Sequence, residues 1–98
     1  MTLTVPSLPA HVVELIRQIA SRHGVRDVRL FGSFARGEGG PGSDLDLLIR
    51  LDAGRGFRDL MDFCDELEAA VAKRVDAVTE DGLSPCLRER VLAEAVPL

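Results

Sequence analysis

The sequence predicts an α/β fold, a small mixed β-sheet with helices packed mainly on one face, in the order α-β-α-β-α-β-α. Apolar residues recur at helical spacing in an N-terminal, a central and a C-terminal segment, and short alternating or β-branched runs lie between them. The stretch from Leu30 to Ile49 joins the first two strands. It holds a Gly-Ser turn, an arginine three residues beyond the serine, a glycine-rich loop, and two aspartates two residues apart in an apolar strand.

Met1 to Pro6 reads as an extended lead-in, and Ser7 as a cap for a helix beginning near Leu8 or Pro9. Val12, Leu15, Ile16 and Ile19 form the apolar stripe of that helix, and Gly24 stops it. His11 and His23 near its ends are read as solvated surface residues. Val25 to Phe31 is the first strand, with Val28 and Leu30 on one face. One or two turns of helix from Ser33 to Arg36 follow, ended by Gly37.

Glu38 to Gly42 is a glycine-rich loop returning the chain to Ser43 and a second strand, which a connection this short makes antiparallel to the first. The longest helix runs from about Phe57 to Lys73. Its predicted apolar stripe is Phe57, Leu60, Met61, Cys64, Leu67 and Val71, and its solvated face Asp59, Asp62, Asp65, Glu66 and Glu68. A helix of this length can cross over, so Val75 to Thr79 is read as a third strand parallel to the second. Ser84 and Pro85 open a last helix carrying Leu87, Val91, Leu92 and Ala95.

Composition narrows the function. The 98 residues suit one domain, residues 1–98, with a single modest core; an acceptor substrate is then expected to arrive on another molecule. Twelve Lys and Arg against 16 Asp and Glu leave a net charge of -4, with four Phe and no Tyr or Trp. Direct nucleic-acid binding, which needs a basic footprint and stacking platforms, is not expected. Neither a membrane span nor a signal pattern is visible, so a cytoplasmic location is predicted. Cys64 and Cys86 lack metal-site or disulfide spacing.

The chemistry sits around the first turn. Side chains at i and i+2 of a strand share a face, about 6.5 to 7 Å apart, so Asp44 and Asp46 stand side by side while Leu45, Leu47 and Ile49 face away. Carboxylates on an apolar strand need solvent, a partner or a cation, and Mg²⁺ takes oxygen ligands of this kind. If Val75 and Ala77 join the helices, Asp76 joins Asp44 and Asp46 on the other face. A turn directly after a strand offers backbone N–H groups to a phosphate; Gly32 permits close approach, Ser33 adds a hydroxyl, and Arg36 is placed for a further phosphate contact. Taken alone, Gly32-Ser33 also fits an ordinary strand-to-helix turn with a capping serine.

Together, Gly32-Ser33, Arg36-Gly37, Ser43-Asp44-Leu45-Asp46-Leu47 and the later Asp76 resemble the signature of the DNA polymerase beta-type nucleotidyltransferase superfamily. The short chain, with Leu83-Ser84-Pro85 and the Arg88-Glu89-Arg90 helix, is similar to the minimal nucleotidyltransferase domains within it. The resemblance implies that Asp44, Asp46 and Asp76 are catalytic carboxylates holding two Mg²⁺ ions. It also implies that Gly32, Ser33, Arg36 and Ser43 form the nucleotide-binding set, with ATP as substrate.

The resemblance points further, to the antitoxin half of a toxin-antitoxin pair with a HEPN-type ribonuclease as partner. The chain would then transfer AMP from ATP to a hydroxyl of the toxin, often a tyrosine, within a hetero-oligomer. A non-catalytic antitoxin that blocks its partner by contact is the competing expectation, and a stand-alone transferase acting on a small molecule is a third.

Overall fold

The computed structural model describes residues 8–98, so the expected lead-in over Met1 to Pro6 and the Ser7 cap lie outside the described residues. The elements are α1 (Ala10–Arg22), β1 (Val25–Phe31), β2 (Leu45–Leu51), α2 (Phe57–Val71), β3 (Val75–Thr79), a 3₁₀ turn (Glu80–Gly82), α3 (Pro85–Glu94) and β4 (Val96–Pro97). They build a four-stranded mixed sheet in the order β3-β2-β1-β4. β1 runs antiparallel to β2, and β2 runs parallel to β3 across the α2 crossover, as the loop lengths predict; β1 also pairs antiparallel with β4.

Strand alternation sorts the side chains. Leu45, Leu47 and Ile49 of β2 join Leu30 of β1 and Val75 of β3 in one core with Ile16 and Ile19 of α1 and Phe63 and Leu67 of α2. The opposite face carries Asp46 and Asp76. Leu48 and Val91 are buried outside that core, consistent with α3 covering part of the second face.

Four features depart from expectation. β1 contains a bulge: its register with β2 shifts between Arg26 and Arg29, and Asp27 adopts a φ of 52°. The extra residue lets both Val25 and Val28 turn toward the core despite their odd spacing. The α2 stripe is centred on Phe63 and Leu67, both fully buried, whereas Phe57 and Met61 are 73% and 46% exposed. On the helical wheel Phe57 and Met61 lie on the flank of the Leu60, Phe63, Leu67 arc. In α3, Leu87 and Leu92 are exposed and only Val91 is buried, and Ala95 already lies beyond the helix. Finally, the C-terminal segment returns as β4, pairing Val96 with Leu30 and donating the Leu98 N–H to the Val28 carbonyl at 3.0 Å.

Several acids on α2 do more than face solvent. Asp59 Oδ2 accepts the Gly56 N–H at 2.9 Å, capping the helix, and pairs with Arg55 at 3.0 Å. Both interactions hold its carboxyl below the ordinary range, the Gly56 bond contributing most. Glu66 bonds Arg22 at the end of α1 and His23 just beyond it, so His23 is a half-buried tie between the end of α1 and α2 rather than a free surface residue. Glu68 accepts the Val75 N–H at 3.0 Å, at the start of β3.

Candidate active site

The segment after β1 forms one hydrogen-bonded turn rather than the expected short helix. Arg36 N–H donates to the Gly32 carbonyl at 3.2 Å, Gly37 N–H to Phe34 at 3.2 Å and Glu38 N–H to Ser33 at 2.8 Å. The last two bonds, with Gly37 at a φ of +75°, make the Schellman pattern that terminates helices, here closing after a single turn. Termination comes this early because the next residues double back. The buried Phe34 ring lies under Gly39, and Lys73 Nζ sits 5.2 Å from the ring centroid while donating to the Gly40 carbonyl at 3.2 Å. Lys73 thus ties the loop to the end of α2, a link that spacing along the sequence could not reveal. So short a turn has little macrodipole. Any attraction for phosphate comes from its local N–H groups and side chains.

Gly32 and Asp46 meet closely. Phe31 pairs with Asp46 across the hairpin, and Gly32, at a φ of +77°, follows at once. A Cβ on Gly32 would overlap Asp46 Oδ2. The missing side chain therefore leaves the carboxylate lying against the turn backbone.

Asp76 lies in register with Asp46 on the neighbouring parallel strand, and Asp44 directly precedes β2. The sequence-predicted acids therefore share one end of the open sheet face. Asp46 is half-buried, while Asp44 and Asp76 are exposed. Burial pushes the Asp46 carboxyl above its ordinary range, and the negative charges of Asp76 and Asp44 push it further; Arg36 opposes the shift and Glu94 adds to it. Among the described residues, no three acidic, histidine or cysteine side chains converge closely enough to form a ready-made metal cage.

Arg36 is engaged within the chain. Its Nε donates to Glu38 Oε1 at 2.8 Å and its Nη1 to Glu94 Oε1 at 2.5 Å. These bonds, Glu38 first, hold the guanidinium in its charged form. Glu94, in the last turn of α3, was not among the sequence candidates, since only the fold brings it back to the turn. Ser43 Oγ accepts the Gly40 N–H at 3.1 Å, and so shapes the end of the glycine loop.

Residues 12–98 match the family model described as the nucleotidyltransferase domain. A Methanocaldococcus jannaschii protein bearing the name of a protein adenylyltransferase is 40% identical over 78 residues, covering 80% of this chain and 84% of that one. Protein adenylyltransferase MntA of Thermococcus cleftensis is 30% identical over 94 residues, covering 96% of this chain and 95% of its own. A solved structure described as a minimal nucleotidyltransferase superposes with a TM-score of 0.81 at 45% identity, covering 98% of this chain and 97% of that one. More distant in sequence, at 17% identity and a TM-score of 0.68, is the fold seen in a complex of a tri-AMPylated Shewanella oneidensis HEPN toxin with its MNT antitoxin; the match covers 89% of this chain and 68% of that one. The four-stranded mixed sheet with its three helices thus superposes on a minimal nucleotidyltransferase of similar sequence, and the chain belongs to the nucleotidyltransferase domain family in its minimal form.

Proposed function

We propose that the chain is an Mg²⁺-dependent protein adenylyltransferase of a toxin-antitoxin pair, which moves AMP from ATP onto a hydroxyl, a tyrosine in the first instance, of a HEPN-type ribonuclease partner and so silences it. The observation that carries this reading is the register of Asp46 with Asp76 beside a glycine turn that leaves Asp46 Oδ2 against the backbone. The named activity of the relatives from Methanocaldococcus and Thermococcus supports it, as does the partner in the Shewanella complex.

The donor set fits magnesium. Three carboxylates offer hard oxygen ligands, and the repulsion that Asp76 and Asp44 exert on Asp46 is the kind of unfavourable charge that a divalent cation relieves. Asp44, Asp46 and Asp76 would hold two such ions, which supply charge neutralisation at the α-phosphate and at the departing pyrophosphate.

The protein's own groups do the rest. Ser33 and the backbone of the Gly32 turn bind the triphosphate, Arg36 reaches a further phosphate oxygen, and Ser43 keeps the glycine loop folded beside them. The acceptor oxygen attacks the α-phosphorus in line. Its new P–O bond forms as the bond to the β-phosphate oxygen breaks, pyrophosphate leaves, and Asp76 takes the hydroxyl proton. Orientation and charge compensation are the main catalytic contributions. We place the reaction in the cytoplasm, within a hetero-oligomer, and treat residues 1–98 as one domain; no helix among the described residues is long and apolar enough to cross a membrane.

The test is transfer of label from [α-³²P]ATP to the co-expressed partner, with and without Mg²⁺. Asp44→Asn and Asp46→Asn are expected to abolish transfer and neutralisation while the complex still forms. Full neutralisation by both variants would instead establish blocking by contact, for which the exposed Phe57, Met61, Leu87 and Leu92 offer apolar surface. Absence of transfer by the wild type with its partner and Mg²⁺ refutes the enzymatic assignment.

A further inference from the structure

Glu94 occupies a position that the helix end disfavours. It lies in the last turn of the ten-residue α3, where helix carbonyls already make the potential negative, and its charge adds to that of the acids around Asp46. Arg36 offsets both costs. The Glu94 side chain is 27% exposed, against 65% for Glu38, so of the two carboxylates on Arg36 it is the less screened by water.

A guanidinium presents a fixed planar fork of donors, and binding to phosphate uses that fork. In this chain Glu38 takes Nε and Glu94 takes Nη1. A triphosphate that takes a two-pronged hold on Arg36 must therefore displace one of these carboxylates, of which Glu94 is the less exposed.

We propose that Glu94 is a latch on Arg36 that competes with the triphosphate and thereby sets nucleotide affinity, and that nucleotide binding releases the end of α3 from the turn at Gly32. The latch rests on the assignment of Arg36 to the triphosphate made above. It adds to that assignment a residue from the far end of the chain and a link between the nucleotide site and α3.

Isothermal titration calorimetry with ATP tests it, run in EDTA and again with Mg²⁺, on the wild type, Glu94→Gln, Arg36→Ala and the double variant, each shown to be folded by circular dichroism. Glu94→Gln is expected to tighten ATP binding about threefold or more, the scale of a partly exposed ion pair. The gain should vanish in the Arg36→Ala background. Glu94→Asp keeps the charge on a shorter arm and is expected to show a smaller gain of the same sign.

Unchanged or weaker ATP binding by both Glu94 variants overturns the latch. So does an equal gain with and without Arg36, which would mark a general charge effect. If the wild type binds no ATP under either condition, the nucleotide assignment itself fails and the latch falls with it. If the wild type binds ATP and only the gain is missing, the transferase assignment stands and Glu94 is a structural tie.

Discussion

Replacing Gly32 by alanine separates two physical terms that meet at the centre of the site. The first is backbone: Gly32 holds a φ of +77°, and an alanine in the left-handed region costs roughly 1–2 kcal/mol, partly offset by about 0.4–1 kcal/mol from the stiffer unfolded chain. The second is steric, because the new Cβ overlaps Asp46 Oδ2 and the carboxylate must leave its rotamer, at about 0.5–1.5 kcal/mol. The net loss expected is about 1–2 kcal/mol, or a Tm lower by roughly 4–16 °C for a domain this size. Gly37 provides the control: its φ is +75°, yet a Cβ there meets nothing within 4 Å. Differential scanning calorimetry of Gly32→Ala and Gly37→Ala, each alone and with Asp46→Ala, reads both terms. Gly32→Ala should recover about 0.5–1.5 kcal/mol in the Asp46→Ala background, whereas Gly37→Ala should cost the same in both. Equal costs for Gly32→Ala with and without the Asp46 carboxylate would refute the close approach on which the site is built.

Asp46→Asn should stabilise the metal-free protein even as it removes activity. The folded-state pKa of Asp46 is raised, so between the ordinary carboxylate range and that higher value the folded state binds more protons than the unfolded one; stability therefore falls as pH rises through this window. In EDTA at pH 7 the variant is expected to melt about 2–8 °C above the wild type, from roughly 0.5–1 kcal/mol of relieved cross-strand repulsion. The gap should close below about pH 3.5, where both states of the wild type are protonated; a variant less stable than wild type at pH 7 contradicts this. On α2, urea titration of Phe63→Ala should show a loss of about 3–5 kcal/mol, against less than about 0.5 kcal/mol for Phe57→Ala. A larger loss for Phe57→Ala than for Phe63→Ala would mean that the helix presents the face expected from the sequence after all.

Much of the candidate site was legible because its logic is local. The i and i+2 spacing of Asp44 and Asp46, the short hairpin loop and the α2 crossover were enough to place Asp46 and Asp76 on one face. What stayed hidden depends on partners distant in the chain. The Asp27 bulge breaks strand alternation in a way no periodicity announces, and it appears only once β1 is registered on β2. Phe57 and Phe63 are equally apolar, so choosing between them requires knowing which arc of α2 meets the sheet. Gly37 ends the turn, as its place in the sequence suggests, but the single turn before it is fixed by packing of Phe34 beneath Gly39 and by Lys73, some 39 residues further along from Phe34. Glu94 lies 58 positions beyond Arg36, and only the return of α3 brings it back.

The parallel pairing of β2 with β3 has a kinetic consequence. A chain that has made only the β1–β2 hairpin already possesses Gly32, Asp44 and Asp46, yet lacks Asp76 until α2 has crossed over and docked. Contacts that close so long a loop form late in folding, after local ones. With Asp76 in its proposed catalytic role, competence for chemistry should therefore appear abruptly with the last cooperative step, leaving partly folded chains inert toward any acceptor they meet.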